Sequence, residues 1–105
     1  MIDFRLASAP DLLRHLGQRL RQQRLQKPWT QQDLATHAGV ALSAVKKLEA
    51  GGNATLKTLV KVVQALSLTE ELAPLFAPKA ELSIAALAKA EKPQRQRARP
   101  RRAAP

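Results

Sequence analysis

The sequence predicts an all-α protein built on a domain of five helices. Apolar residues recur at helical spacing in several stretches, and helix-capping residues stand just before those stretches. The chain has 105 residues, no cysteine and few aromatic residues, so aliphatic packing must supply the core without disulfides. We expect an N-terminal extension (1–9), a helical domain (10–77), a short helical extension (78–91) and a basic disordered tail (92–105).

The N-terminal extension has the periodicity of a strand rather than that of a helix. Ile2, Phe4 and Leu6 alternate with Asp3 and Arg5. This pattern predicts an edge strand, which would pair with a partner chain or with residues elsewhere in this chain. A frayed leader is the alternative, since the run is too short to form a sheet alone.

The first predicted helix begins at Pro10, with Ser8 or Ala9 as its cap, and ends before Pro28. Arg24 continues the apolar stripe of this helix. Because an unpaired buried charge is very costly, Arg24 needs a carboxylate partner. Glu49, at the end of the third helix, is the natural candidate, and we expect an ion pair between the two. The stripe comprises Leu13, Leu16, Leu20 and Arg24.

The second and third helices form the centre of the predicted domain. Thr30 and Asp33 have the spacing of a capping box at the start of the second helix. Gly39 can end that helix in the left-handed conformation. Only Val40 and Ala41 separate it from the stretch that carries a second apolar series, Val45 and Leu48. A link this short must turn sharply, as in a helix-turn-helix unit. Gly51-Gly52 ends the third helix, whose outer face carries Leu42, Ser43, Lys46 and Lys47.

Two further helices complete the predicted domain. Thr55, or alternatively Asn53, caps a fourth helix with a clear apolar stripe. Thr69 caps a fifth helix over residues 70–77, in which Pro74 either introduces a kink or marks the first turn. A short helix over residues 84–90, capped by Ser83, must dock on another surface to be stable. The stripe of the fourth helix comprises Leu56, Leu59, Val60, Val63 and Leu66.

Charge and composition favour a nucleic-acid partner and argue against an enzyme. The net charge is +10, of which residues 92–105 contribute +6 without any acid. Such an excess favours a polyanion, although a solubilising surface is the alternative. His15 and His37 lack metal-ligand spacing, Ser43 has no base beside it, and no glycine-rich phosphate loop occurs, so we expect no metal or cofactor. The apolar runs are shorter than a membrane span, and the first residues, MIDFRLASAP, lack the basic start and apolar core of a signal peptide, so we expect a cytoplasmic, nucleoid-associated protein.

Residues 12–77 resemble the helix-turn-helix domain of the lambda-repressor/Cro type, the XRE family. The matching strings are LGQRLRQQR, TQQDLATHAGVALSAVKKLEAG and TLKTLVKVVQALSL. The resemblance implies a five-helix lambda-repressor-like fold, double-stranded DNA as ligand, and an arginine–glutamate pair at the positions of Arg24 and Glu49. Two departures occur, since Ala41 replaces a usual serine or threonine cap and Leu42 replaces an often polar residue. Direct base recognition is therefore expected to be sparse.

The same resemblance assigns roles to individual side chains. The start of the second helix would contact phosphate, and the third would enter the major groove. Leu42 would pack on a thymine methyl, while Ser43 and Lys46 would reach base edges. The alternatives are a solvated face for each lysine and packing within the domain for Leu42. The expected DNA-binding set is Gln31, Gln32, Ala41, Leu42, Ser43, Lys46, Lys47, Asn53 and Lys57.

These roles predict a transcriptional repressor that binds a palindromic operator as a homodimer. The dimer contacts would come from Ile2, Phe4 and Leu6, or from the segment 72–87. Small XRE proteins with basic tails are similar to HipB-type antitoxins, which repress their own operon and bind a HipA-like kinase toxin. The alternatives are a stand-alone XRE regulator and a protein-interaction module with secondary, nonspecific nucleic-acid binding.

Overall fold

The computed structural model describes residues 2–79 of the chain. Within this part, four α-helices follow one another: α1 (Ala9–Gln26), α2 (Gln31–Ala38), α3 (Leu42–Ala50) and α4 (Leu56–Ala65). A 3-10 helix, Thr69–Leu72, follows α4. The chain divides into two compact units, Met1–Glu70 and Glu71–Pro105, and all four α-helices belong to the first.

Local capping explains where the helices begin. Ser8, Thr30 and Thr55 are the N-caps of α1, α2 and α4, and each side chain accepts a backbone N–H from the first turn. At α2 the capping box is complete, because Asp33 also accepts the backbone N–H of Thr30 at 2.9 Å. The helix starts predicted at Thr30 and Thr55 are therefore confirmed.

The core lies where the four helices meet and is aliphatic, as the composition predicts. Leu34, Val45 and Val62 are the largest fully buried side chains, and they come from α2, α3 and α4. The remaining apolar members of this core are Leu20, Ala35, Val63 and Leu66. Burial of these side chains is the main favourable term that holds the helices together, since α2, α3 and α4 are each too short to be stable alone in water.

A glycine allows α1 to approach the end of α3 backbone to backbone. A Cβ atom built on Gly17 would lie 2.5 Å from the carbonyl oxygen of Leu48 and 2.6 Å from that of Glu49. Distances this short leave no room for a side chain of any kind. Gly17 therefore sets the spacing between α1 and α3, and so the position of the whole turn unit.

Two expectations from the sequence are wrong. Residues 2–7 form a turn rather than a strand, because the backbone carbonyl of Asp3 accepts the N–H groups of Leu6 and Ala7 at 3.0 Å each. The fifth α-helix is also absent from the described residues: only the 3-10 turn Thr69–Leu72 forms there. Pro74 explains the early end, because the residue before a proline avoids the helical conformation.

The other expectations for the C-terminal part concern residues outside the described range. These are the helix over residues 84–90 and the disordered basic tail over residues 92–105. Among residues 2–79, no helix combines the length and the hydrophobicity that crossing a membrane requires.

Candidate nucleic-acid interface

The turn between α2 and α3 is short and has a glycine where its geometry requires one. Gly39 ends α2 in the left-handed conformation, with φ of 70°, and its N–H bonds back to the last turn of the helix. Val40 and Ala41 alone separate Gly39 from Leu42, the first residue of α3. The backbone N–H of Val40 donates to the carbonyl of Ala35 at 3.1 Å, which closes the turn.

Helix α3 has one buried side and one exposed, basic side. Val45 is fully buried and Glu49 is nearly so. Ser43, Lys46 and Lys47 are exposed. Since successive residues turn by about 100° in an α-helix, Ser43 and Lys47 lie roughly opposite Val45 and Lys46 lies beside them. We call Ser43, Lys46 and Lys47 the recognition face.

The N-terminal end of α3 has no side-chain cap. Ala41 is the N-cap residue and is exposed, and no side chain accepts a hydrogen bond from the backbone there. Leu42 is half-buried, so part of its side chain remains available to a ligand.

A buried ion pair lies directly behind α3. Arg24 of α1 donates from Nε to Oε2 of Glu49 at 2.7 Å and from a terminal nitrogen to Oε1 at 3.0 Å. Its other terminal nitrogen donates to the backbone carbonyl of Trp29 at 2.8 Å. The hydrogen bond to Glu49 raises the pKa of the Arg24 guanidinium, which therefore stays protonated. This bidentate pair joins α1, the α1–α2 loop and α3.

The two glutamines at the start of α2 have different environments. Gln31 is half-buried, and its Nε2 donates to Oε1 of Glu49 at 3.0 Å. Its second amide hydrogen is not used by that bond. Gln32 is exposed, and its Nε2 donates to the hydroxyl of Thr36 at 3.2 Å. The bond to Glu49 connects Gln31 to the same buried group that holds Arg24.

Asn53 and Lys57 are exposed, on the loop after α3 and on the first turn of α4. The loop leaves α3 at Gly51, which has a φ of 81°. The backbone N–H of Gly52 then donates to the carbonyl of Lys47 at 2.7 Å, which closes the helix end.

Most carboxylates of the first unit bind groups near them, so most of its cations have no carboxylate partner. Asp3 and Asp11 pair with Arg5 and Arg14 on the surface, and Glu49 is buried with Arg24. The pKa of Asp33 is lowered by its hydrogen bonds with the Thr30 backbone and hydroxyl, and that of Asp11 chiefly by its hydrogen bond with Ser8. The cations outside the ion pairs of residues 2–70 are Arg19, Arg21, Lys27, Lys46, Lys47, Lys57 and Lys61.

Two contacts in this region were not predicted from the sequence. The first is the hydrogen bond between Gln31 and Glu49, which joins residues 18 positions apart. The second is a stack of the Trp29 indole on the His37 ring, with ring centroids 4.1 Å apart and planes 17° apart. Lys27 lies over the same indole at 5.3 Å. Helical spacing places His37 one turn beyond Asp33, but no local pattern signals its contact with Trp29.

Comparison with protein families gives one match over half of the chain. A family model described as helix-turn-helix (HTH_3) matches residues 20–72, which include α2, α3 and α4 entirely. A search of curated proteins finds no match.

Proposed function

Because the chain belongs to the HTH_3 family of Cro/C1-type helix-turn-helix domains (the XRE family), we propose that it is a transcriptional repressor that binds a palindromic DNA operator. Members of this family are DNA-binding regulators. The observation that carries the proposal is the recognition face. It presents two lysines and a serine on a short, exposed helix whose other side is fixed in the core.

In the proposed complex, α3 lies in the major groove. Ser43 and Lys46 reach base edges, and lysine favours the O6 and N7 acceptors of guanine. Lys47 contacts a base or a phosphate. Leu42, with Ala41 beside it, packs on a thymine methyl through the exposed part of its side chain. With so few polar side chains on the helix, direct base recognition is sparse and DNA shape contributes to specificity.

In this proposal, contacts to the phosphate backbone of DNA flank the recognition face. The starts of α2 and α4 lie on either side of α3 in the chain and carry exposed polar groups. Gln31 uses its second amide hydrogen on a phosphate, while Glu49 holds the first. Such contacts position the protein on the duplex without reading sequence. The proposed phosphate-contacting residues are Gln31, Gln32, Asn53 and Lys57.

Selection of binding sites from a random duplex pool, followed by titration of the best site, tests the proposal. A repressor should bind its site at least about 10³-fold more tightly than random duplex. Lys46→Ala and Ser43→Ala should each relax the preference at one base pair, at a cost of about 1–3 kcal/mol. Lys61→Ala, which removes the same charge from α4, is the matched control and should leave that preference intact. A specificity ratio near unity for the wild-type chain would contradict the proposal.

We also propose that the protein acts as a homodimer, since a palindromic operator presents two half-sites. The candidate contacts are the N-terminal segment and the segment 72–87. Leu6 is 83% exposed, and Phe76 is 92% exposed within residues 71–79. Sedimentation of Leu6→Asp and Phe76→Asp variants would identify which segment is used. A wild-type chain that is monomeric both free and on its operator would refute the dimer.

The biological role that we propose is that of a HipB-like antitoxin, cytoplasmic and nucleoid-associated, which also binds a HipA-like kinase toxin. The support is the resemblance of small XRE proteins with basic tails to that class. A kinase-like gene beside this one, and co-purification of its product with the chain, would support the role. Repression of its own promoter without such a neighbour would instead favour a stand-alone regulator. An interaction module with nonspecific binding would show a steep salt dependence and no site preference.

A further inference from the structure

One side of α1 faces the C-terminal end of α3. Arg14, Gly17, Arg21 and Arg24 recur at intervals of three and four residues, so they lie along a single stripe of the helix. Contacts fix three of the four positions. A Cβ on Gly51 would lie 2.8 Å from the Cα of Arg14, Gly17 touches the last carbonyls of α3, and Arg24 binds Glu49. Arg21 lies between Gly17 and Arg24 on this stripe and is nevertheless exposed.

The two edges of this stripe have different character. On one edge, Leu13, Leu16 and Leu20 share an apolar cavity of about 270 Å³ with Leu48 and with residues of α4. The other edge carries three exposed polar side chains. We call this edge the α1 flank: Arg14, Gln18 and Arg21.

The geometry of α3 shows which edge adjoins the recognition face. Leu48 and Ala50 are two residues apart, so they project about 200° apart around α3. Leu48 is on the side of the apolar cavity, whereas Ala50 is exposed on the same face as Lys46 and Lys47. The α1 flank therefore lies beside the C-terminal end of α3, on the same side as the recognition face.

Arg21 is the unopposed charge of the α1 flank. The ion pairs among residues 2–70 are Arg5–Asp3, Arg14–Asp11 and Arg24–Glu49, and Arg21 belongs to none of them. Helix α3 has nine residues and is about 13 Å long, close to the ~12 Å width of the major groove. If α3 lies in the groove, the part of α1 that adjoins its C-terminal end is therefore close to the groove wall, where the phosphates lie.

We propose that the α1 flank is an additional contact for the phosphodiester backbone of duplex DNA, with Arg21 binding a phosphate and Gln18 donating beside it. The inference rests on the proposed function and extends the interface from α2, α3 and α4 to α1. The contact carries no base information, so it strengthens binding to operator and random duplex alike. It holds the DNA beyond the C-terminal end of the recognition helix.

The test compares Arg21→Ala with Arg19→Ala in the full-length chain. Arg19 is on the same helix, about 200° from Arg21, with its guanidinium over the ring of Phe4 at 5.1 Å. Duplex affinity is measured over a series of salt concentrations on the selected operator and on a random duplex. Arg21→Ala should reduce the slope of log Kobs against log salt by about 0.9 on both duplexes. Arg19→Ala should leave the slope unchanged, and Arg21→Lys should retain it.

The outcomes separate this inference from the proposed function. An unchanged slope for Arg21→Ala, or an equal change for Arg19→Ala, would overturn the α1 flank while operator preference stands. If the wild-type chain binds random duplex without preference, the repressor proposal fails, yet the slopes still decide the role of Arg21. If the wild-type chain binds no duplex, both proposals fail. A circular-dichroism melt of each variant confirms that it is folded.

Discussion

Removing the carboxylate of Glu49 should destabilise the protein more than any change to a surface ion pair. The Arg24 and Glu49 side chains are 7% and 3% exposed. In Glu49→Ala, the guanidinium of Arg24 remains in the core without a counter-charge and keeps a single described acceptor, the carbonyl of Trp29. The amide of Gln31 also loses its acceptor.

The magnitude follows from these contacts. Glu49 accepts three hydrogen bonds, two from Arg24 and one from Gln31. Loss of one member of a buried ion pair typically costs about 3–5 kcal/mol, because the other charge stays desolvated. Since Arg24 keeps its bond to Trp29, we expect a loss in the lower half of this range, about 3–4 kcal/mol. A loss of this size is a large part of the stability of a small domain.

Urea denaturation followed by tryptophan fluorescence measures this loss. Trp29 is the sole tryptophan and stacks on His37, so unfolding changes its environment. The control is Arg14→Ala, which breaks an exposed pair with Asp11 and should cost at most about 1 kcal/mol. A cost for Glu49→Ala no greater than that of the control would refute the reasoning.

A double replacement distinguishes the stranded charge from the lost packing. Arg24→Met with Glu49→Leu removes both charges and keeps apolar volume in their place. Such replacements are often close to neutral. The double variant should therefore recover most of the stability that Glu49→Ala loses, and failure to recover would show that the individual hydrogen bonds matter more than the buried charge.

Three further predictions concern the backbone and one carboxylate. Gly17→Ala should cost about 1–3 kcal/mol, because its Cβ would overlap the carbonyls at the end of α3. Gly39 has a φ of 70° and open space around it, so Gly39→Ala should cost only about 1 kcal/mol of left-handed strain. Thermal melts of the two variants measure the difference. Ser67→Gly should stabilise the fold by about 0.5–1 kcal/mol, because Ser67 has a φ of 61°, and an unchanged urea midpoint would contradict this. Asp33→Asn should destabilise the protein at neutral pH, because hydrogen bonds with Thr30 lower the folded-state pKa of Asp33. The difference in stability from wild type should disappear as the pH falls below about 4 and through that pKa. A difference in stability that does not depend on pH would disprove this prediction.

The centre of the fold could be predicted because its signals are local. The capping box at Thr30 and the glycine at position 39 fix α2 within a few residues of sequence. The short link after Gly39 then fixes the start of α3. The apolar stripe of α4 and its cap at Thr55 work in the same way. Each of these features depends on residues within about one helical turn of one another, so the local sequence is enough to predict it.

The errors and omissions arise where distant residues or competing local effects decide the structure. Strand periodicity at the N-terminus needs a partner strand; instead, Asp3 bonds to residues that follow it and a turn forms. The acidic start at Thr69 favours a helix, but Pro74 ends it after one turn. The bond between Gln31 and Glu49 depends on how two helices pack, which no periodicity expresses.

The construction of α3 connects stability to the proposed recognition. A nine-residue helix is too short to be stable alone, so tertiary contacts must define its direction. Those contacts concentrate at its C-terminal half, where Gly17 abuts its last carbonyls and Glu49 holds Arg24 and Gln31. Its N-terminal end has no side-chain cap at Ala41. Because the direction of α3 depends on groups behind it, substitutions at Gly17 or Glu49 should weaken DNA binding without removing any contact to DNA.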